Sequence, residues 1–442
     1  MKNKEVIMAT VTEPIILNST GERIADALEA IAEGGGSGGT GKIYGFTINA
    51  SESDPAQAVT YIKDAIGMTP AKMNYSTGIF DFGSWEDAFF MPKPCMLKSD
   101  GTVDYYLKPT DYTKKADGTA SDVANTAYDG NAMMEWGQNG KKIWLKVIPS
   151  GNKEGATVLI ADHKADNYFH DYSFHNCKGE SVAHFYTPIY NGSVISSKMR
   201  SLSGQAVSKT LTGTQEKTYA KANNPSTDEL WNIECLADRI LINFLLVLMS
   251  RSLDTQTAFG QGLNTDGTEA INDSFRTGVH NDKGLFYGTN SGAAATYTNA
   301  VKIFGMENYY GFQWRRLNGW ILNTTHKIKL TYKQEDGSTV DGYNEDGAGY
   351  INTGVTPSGT SAGYINKMAF NEYGCFPKTV SGTASTYYCD SNWFNTSVVA
   401  FALVGGISSS AARVGAFASS LSRAVSDAGW DIGAALSCKP LA

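Results

Sequence analysis

Three of the six histidines of this 442-residue chain, His163, His170 and His175, fall within the stretch ADHKADNYFHDYSFH beside Asp162, Asp166 and Asp171. Imidazole nitrogens and carboxylate oxygens are the donors that divalent transition metals take. The intervals of seven and five residues fit no metal-binding motif. The alternative is surface and half-buried histidines hydrogen-bonded to the neighbouring carboxylates, and neither a metal nor a cofactor is expected. The acidic stretch 336–346, DGSTVDGYNED, has the composition of a calcium loop but lacks the one-three-five oxygen spacing and the closing Glu of an EF-hand. It reads as solvated loop. Calcium-mediated sugar binding would need a tripeptide such as Glu-Pro-Asn, Gln-Pro-Asp or Trp-Asn-Asp, and none occurs.

Catalysis finds no anchor either. No His-Glu-x-x-His pair is present, no serine elbow is read, and the glycine-rich run 34–39 is not followed by the Lys-Ser/Thr pair of a phosphate loop. The six cysteines, Cys95, Cys177, Cys235, Cys375, Cys389 and Cys438, show no Cys-x-x-Cys spacing, so free thiols are expected, not a zinc knuckle or a redox pair. With no catalytic residue to name, the expectation is a binding protein and not an enzyme.

Bulk properties narrow the partner. A formal net charge of −7 offers no broad positive field for nucleic acid or anionic membrane. The most hydrophobic run, 240–249, has about half the length a bilayer needs and is flanked by Asp238, Arg239 and Arg251. Neither nucleic-acid binding nor membrane insertion is expected. The two lysines at the N-terminus precede no apolar stretch of a secretory signal, so synthesis in a cytoplasm is expected. Only 18% of residues are charged and 46 are glycine, the profile of a folded, loop-rich chain.

The elements that must position any site follow from periodicity. Over 19–33, Ser19 and Glu22 have capping-box spacing and Ile24, Leu28 and Ile31 make one apolar seam. Two turns of seam cannot stand alone in water, which leaves self-association as a trimer, docking onto a larger assembly, or packing on its own domain. The run 34–39, GGGSGG, is a hinge. From Lys42, Tyr44, Phe46 and Ile48 alternate as in a half-buried strand. A helix is predicted next, capped by Asp54, with Val59, Ile62 and Ile66 on one face and Gly67 as its stop. Beyond residue 73 come strand-like stretches such as KKIWLKVIP, ATVLIA, HFYTPIY and HKIKLTY, separated by long loops. One long helix is predicted over about 228–252, with Trp231, Leu236, Ile240, Phe244, Val247 and Leu248 apolar and Glu234, Asp238, Arg239 and Asn243 on its polar face. The fold class is therefore α+β with function carried by loops.

The stretch 305–320, GMENYYGFQWRRLNGW, resembles the Gly-x-Glu-Asn-x-x-Gly-x-x-Trp-x-x-x-x-Gly pattern of formylglycine-generating-enzyme-like C-type-lectin domains. The C-terminal stretch ALVGGISSSAARVGAFASSLSRAVSDAGWDIGAALSCKP resembles the variable region of phage and bacterial proteins diversified by retroelements. In that family adenines of Asn codons are altered. Over 405–437 there is no Lys, Glu, Gln, Met or Asn, in keeping with that mechanism. Upstream blocks such as DGTVDYYLKPTDYTKKADGTASD are similar to tail-fibre adhesins of the same group.

The resemblance implies a C-type-lectin (formylglycine-generating-enzyme-like) domain over 73–442 with its variable region at about 405–437, a small connector module over 41–72, and an N-terminal attachment or oligomerisation segment over 1–40. Carried over residue by residue, Gly405, Gly406, Gly415, Ala416, Phe417, Trp430, Ile432, Gly433 and Leu436 are scaffold, as are Glu307, expected to satisfy loop amides, and Trp314, expected to fill the core beneath the loops. Ile407, Ser409, Arg413, Ser420, Ser422, Arg423, Asp427, Gly429 and Asp431 are the variable, ligand-facing positions. Arg413 and Arg423 suit a carboxylate or aromatic partner, whereas Ser and Gly give adaptable contacts. The implied function is a receptor-binding adhesin of a phage or prophage tail, carried on the virion. It would be a homotrimer whose head grips a bacterial surface receptor, protein or glycan, and whose N-terminus joins other tail or baseplate proteins. The alternatives are a cell-surface diversified ligand-binding protein and, against the spacing of Cys375 and Cys389, a formylglycine-generating-type oxidase.

Overall fold

Alternation of buried and exposed side chains over short stretches, broken by Gly, Asn and Asp, produces a β-rich chain with few helices. The computed structural model describes residues 41–225, 229–263, 275–290, 299–333, 344–356, 362–395 and 397–441. Lys42–Ala442 form one compact unit. The expected helical seam and glycine hinge over 19–39 lie outside the described residues, as does most of the acidic stretch 336–346.

Strand Ile43–Ile48 buries Tyr44, Phe46 and Ile48, as the alternation predicts. The helix predicted after it is instead a turn and a strand. The Asp54 carboxylate does accept from the Ala56 and Gln57 amides, but this closes only a turn. The β-branched and aromatic run Val59–Lys63 then pairs antiparallel with Ile43–Ile48. The apparent helical face at Val59, Ile62 and Ile66 was a coincidence of spacing: Ile62 and Ile66 do not share a buried stripe, and Ile66 is 71% exposed. Strands Ala156–Ala161 and Trp144–Pro149 complete this four-stranded sheet. The stretch expected to be a connector is thus continuous in hydrogen bonding with residues a hundred positions later.

The predicted long helix spans Leu236–Ser250 only. Trp231–Ile233 is a strand paired with Leu436–Cys438, so the helix cannot begin before that ladder ends. It stops where Arg251 takes a left-handed conformation and returns its amide to the Val247 carbonyl. All fifteen of its residues are buried, including the face of Asp238, Arg239 and Asn243 that amphipathic reasoning marks as polar. Each fully buried Leu or Ile here contributes on the order of 2 kcal/mol, which makes the helix the centre of the main core. Phe244 packs against Phe46 of the four-stranded sheet.

Two larger sheets meet around this helix. A seven-stranded sheet runs in the order Trp231–Ile233, Leu436–Cys438, Phe185–Pro188, Gly130–Trp136, Lys93–Lys98, Val103–Lys108 and Asp111–Lys115. The other runs Ile351–Asn352, Ile328–Leu330, Trp314–Leu322, Ala400–Val404, Ser419–Leu421, Ser391–Phe394 and Ala362–Tyr364, with Ile432–Gly433 pairing in parallel to Trp314–Leu322. The chain from residue 400 onward therefore contributes strands to both. Between those strands it makes two loops, 405–418 and 422–431.

Candidate ligand-binding surface

The first loop leaves strand Ala400–Val404 through Gly405 and Gly406, both at positive φ (+90° and +77°) that side chains other than glycine rarely adopt. It comes back past Gly415, where an added Cβ would lie 2.0 Å from the Asp390 carboxylate. That carboxylate is fully buried and accepts from the Phe417 amide at 2.8 Å. Burial pushes its pKa well above the usual range, and the Phe417 bond opposes that shift. The Ala416 amide donates to Thr255 Oγ1 (3.2 Å), and the Ala416 carbonyl accepts from Asn243 Nδ2 (2.8 Å). Gln256 Nε2 donates to the Ala412 carbonyl at 2.9 Å, and the Ser408 amide donates to Phe312 at 3.0 Å. The buried polar face of the central helix and the short helix Thr255–Phe259 are thus the anchorage of this loop.

The second loop is held the same way. The Arg423 carbonyl accepts from the Phe401 amide, Val425 from Gly213, Gly429 from Thr210 and Asp431 from Trp314, at 2.8–3.1 Å. Arg316 Nη2 donates to the Asp427 carbonyl at 3.0 Å, and Gln313 Nε2 donates to the carbonyls of Trp430 and Ile432. Every one of these donors lies outside 405–431. Backbone carbonyls satisfied in this manner place no demand on the side chains of their own residues.

Outward from this base stand most of the positions that the resemblance marks as ligand-facing. Arg413 and Arg423 are exposed, and Ile407, Ser409, Ser422, Asp427, Gly429 and Asp431 are half-buried. The Arg413 guanidinium lies 5.9 Å from the Tyr364 ring centre. Arg423 pairs with Asp431 at 3.3 Å. Ala411, at the tip of the first loop, is exposed at φ +51°, an uncommon conformation for a residue with a Cβ. Ser420 departs from expectation, being 3% exposed. It is the middle residue of a strand, between Leu403 and Trp393 in register, and its hydroxyl is spent on Ser422 at 2.7 Å.

Among scaffold positions, Glu307 is fully buried and accepts from the Gly278 and His280 amides, each at 2.8 Å. Trp314 packs with Leu403 and Ile432 beneath Ile407 and Trp393, edge-on to Trp393 at 5.2 Å. Ala416, Phe417, Ile432, Gly433 and Leu436 are buried as well. Trp430 is only half-buried, against Val207, Leu263, Phe275 and Phe312. Sequence reasoning missed Trp393 and Tyr364 at the edge of the surface, and Arg316, Gln313, Asp390, Asn243 and Gln256 beneath it. Their roles depend on register between strands distant in the chain, for which no local pattern exists.

The other candidates resolve into structure. His163 and His175 bond to Asp162 and Asp171, each at 2.9 Å, and lysines 141, 142 and 146 engage Asp162, Asp171 and Asp166. His170 stacks on Tyr172. Among the described residues no group of three or more His, Cys, Asp or Glu is placed to hold a metal ion. The stretch 359–363, Gly-Thr-Ser-Ala-Gly, does carry the spacing of a serine elbow. Ser361 lies outside the described residues, but a strand, Ala362–Tyr364, begins where the elbow's helix would have to start.

No family model matches the chain, and no curated protein matches it. Among solved structures, the Major Tropism Determinant U1 Variant is similar over 79% of this chain and 72% of that chain, at 13% identity and a TM-score of 0.30. A likeness this remote does not define the fold.

Proposed function

We propose that this chain is a receptor-binding adhesin of a phage or prophage tail, with a C-type-lectin-like head that attaches to a bacterial surface receptor through the surface formed by 405–431. The observation that carries the reading is that both loops are held by hydrogen-bond partners, donors and acceptors, outside themselves. A backbone fixed from without can display many different side chains, the property a diversified recognition surface needs. The exposed arginines, small hydroxyl residues and flanking aromatics are a composition suited to macromolecular contact. Several heads joined on one particle would raise avidity beyond the affinity of one site.

The thiols speak against the oxidase alternative. Burial pushes the Cys375 thiol up to about 12 and the Cys389 thiol higher still, far from the thiolate that an oxidase of the formylglycine-generating class would use. No helix among the described residues is long and apolar enough to cross a membrane.

The test is flow cytometry of fluorescently labelled full chain on a broad panel of bacterial isolates. It is compared with a variant carrying Ile407→Ala, Arg413→Ala, Arg423→Ala and Asp431→Ala. Labelling of a subset of isolates that disappears in the variant is expected. Labelling unchanged by the four substitutions, or absent from the entire panel, would contradict the proposal.

A further inference from the structure

Arg316 on strand Trp314–Leu322 and Glu216 on helix Gly213–Lys221 are 100 residues apart in sequence and both fully buried. Arg316 Nε donates to Glu216 Oε2 at 2.6 Å. The other side of the same guanidinium donates through Nη2 to the Asp427 carbonyl at 3.0 Å, midway along the second loop. The helix grips the loop a second time, its first residue donating from Gly213 N to the Val425 carbonyl at 2.8 Å. A complete capping box between Thr212 and Gln215 holds that helix end in place.

The pair is a poor source of stability. Arg316 Nη1 and Glu216 Oε1 are buried without a hydrogen-bond partner, and two charges have been withdrawn from water. Apolar residues of similar volume often serve a core equally well. An apolar residue cannot, however, donate a directed hydrogen bond to a loop carbonyl. The planar guanidinium does so while its other edge is held by the carboxylate.

We propose that Glu216 and Arg316 are a positioning pair for the second loop: Glu216 orients the guanidinium, and Arg316 fixes the Asp427 carbonyl and with it the outward register of Arg423, Asp427 and Asp431. The pair's importance for recognition rests on the function proposed above, but its geometry is testable without any ligand. Hydrogen exchange read by mass spectrometry on the full chain would compare wild type, Glu216→Gln, Arg316→Lys and the double variant Glu216→Leu/Arg316→Met.

The double variant should melt within a few degrees of wild type, while the Ala424, Asp427 and Ile432 amides exchange about tenfold faster and those of 405–418 do not change. Glu216→Gln, which keeps an acceptor for Nε but leaves the buried guanidinium charge uncompensated, should melt below wild type yet hold the loop's amides better than the double variant does. Should the double variant fail to fold, Arg316→Lys carries the test, with the same confined loosening expected. Unchanged protection of the loop, or a rise in exchange spread over the whole chain, would overturn the proposal. If the loop loosens yet bacterial labelling persists, the positioning pair stands and the second loop's part in receptor contact fails.

Discussion

Glu307 shows what one residue contributes and how it can be tested. Both its oxygens accept backbone amides, and its own carbonyl accepts from Arg315 Nη2 at 2.6 Å. Glu307→Gln would turn an NH2 toward one of two N–H donors and leave that donor unpaired in the interior. The expected loss is about 2–3 kcal/mol, read from urea unfolding. His280, whose amide is one of those donors, gives a pH signature. Its ring Nε2 lies 2.7 Å from the Ala300 carbonyl, and burial, with the Lys302 cation adding, lowers its pKa to about 4. The folded state therefore binds this proton less tightly than the unfolded chain does. The associated stability is present above pH 6.5 and is lost as pH falls toward 4, about 3 kcal/mol in all. His170, also lowered to about 4 by burial, acts in the same direction. Unfolding midpoints between pH 7.5 and 4.5 should fall less steeply in His280→Gln than in wild type. Equal slopes would mean that His280 is not held neutral.

At the scale of elements, the C-terminal strand is bound to the central helix by a buried charge. Lys439 Nζ meets Asp238 Oδ1 at 2.9 Å and the Ser173 carbonyl at 2.8 Å, and both side chains are fully buried. Asp238 sits in the first turn of the helix, where a carboxylate is favoured. Lys439→Met would leave that carboxylate uncompensated, at an expected cost of about 3–5 kcal/mol by chemical denaturation. A loss below about 1 kcal/mol would show that water reaches the site. This tie also illustrates what sequence can and cannot reveal. Alternation in KIYGFTI and ATVLIA is a local signal, and both are strands. The hydrophobic run at 240–249 is a local signal too, and it is helix. The turn at Asp54 is settled by the pairing of the strands on either side of it, and the inward polar face of Asp238 and Asn243 by partners more than a hundred residues away, beyond the reach of periodicity. The ligand-facing positions marked by family likeness are exposed or half-buried with one exception. Ser420 was not placed correctly, because its burial comes from the neighbours Leu403 and Trp393 on adjoining strands.

For the whole molecule, the account is of a head with a constant interior and an exchangeable outer surface, presented in several copies. The trimer proposed from the seam at Ile24, Leu28 and Ile31 predicts three chains per particle by light scattering of the full chain. A monomer at micromolar concentration would count heavily against it. The central claim is that loops 405–418 and 422–431 keep their course whatever side chains stand at their outward positions, Asp427 apart, whose carboxylate accepts from the Ala424 amide at 3.0 Å. The most direct test is a crystal structure of a variant with Ile407→Tyr, Ser409→Asp, Arg413→Ser, Ser422→Tyr, Arg423→Asn and Asp431→Tyr. The account predicts that both loops superpose on the wild type within about 1 Å in Cα position, as preorganised recognition surfaces do, with the hydrogen bonds from Asn243, Gln256, Gln313 and Arg316 intact. Loops that refold around the new side chains, with those bonds broken, would contradict it.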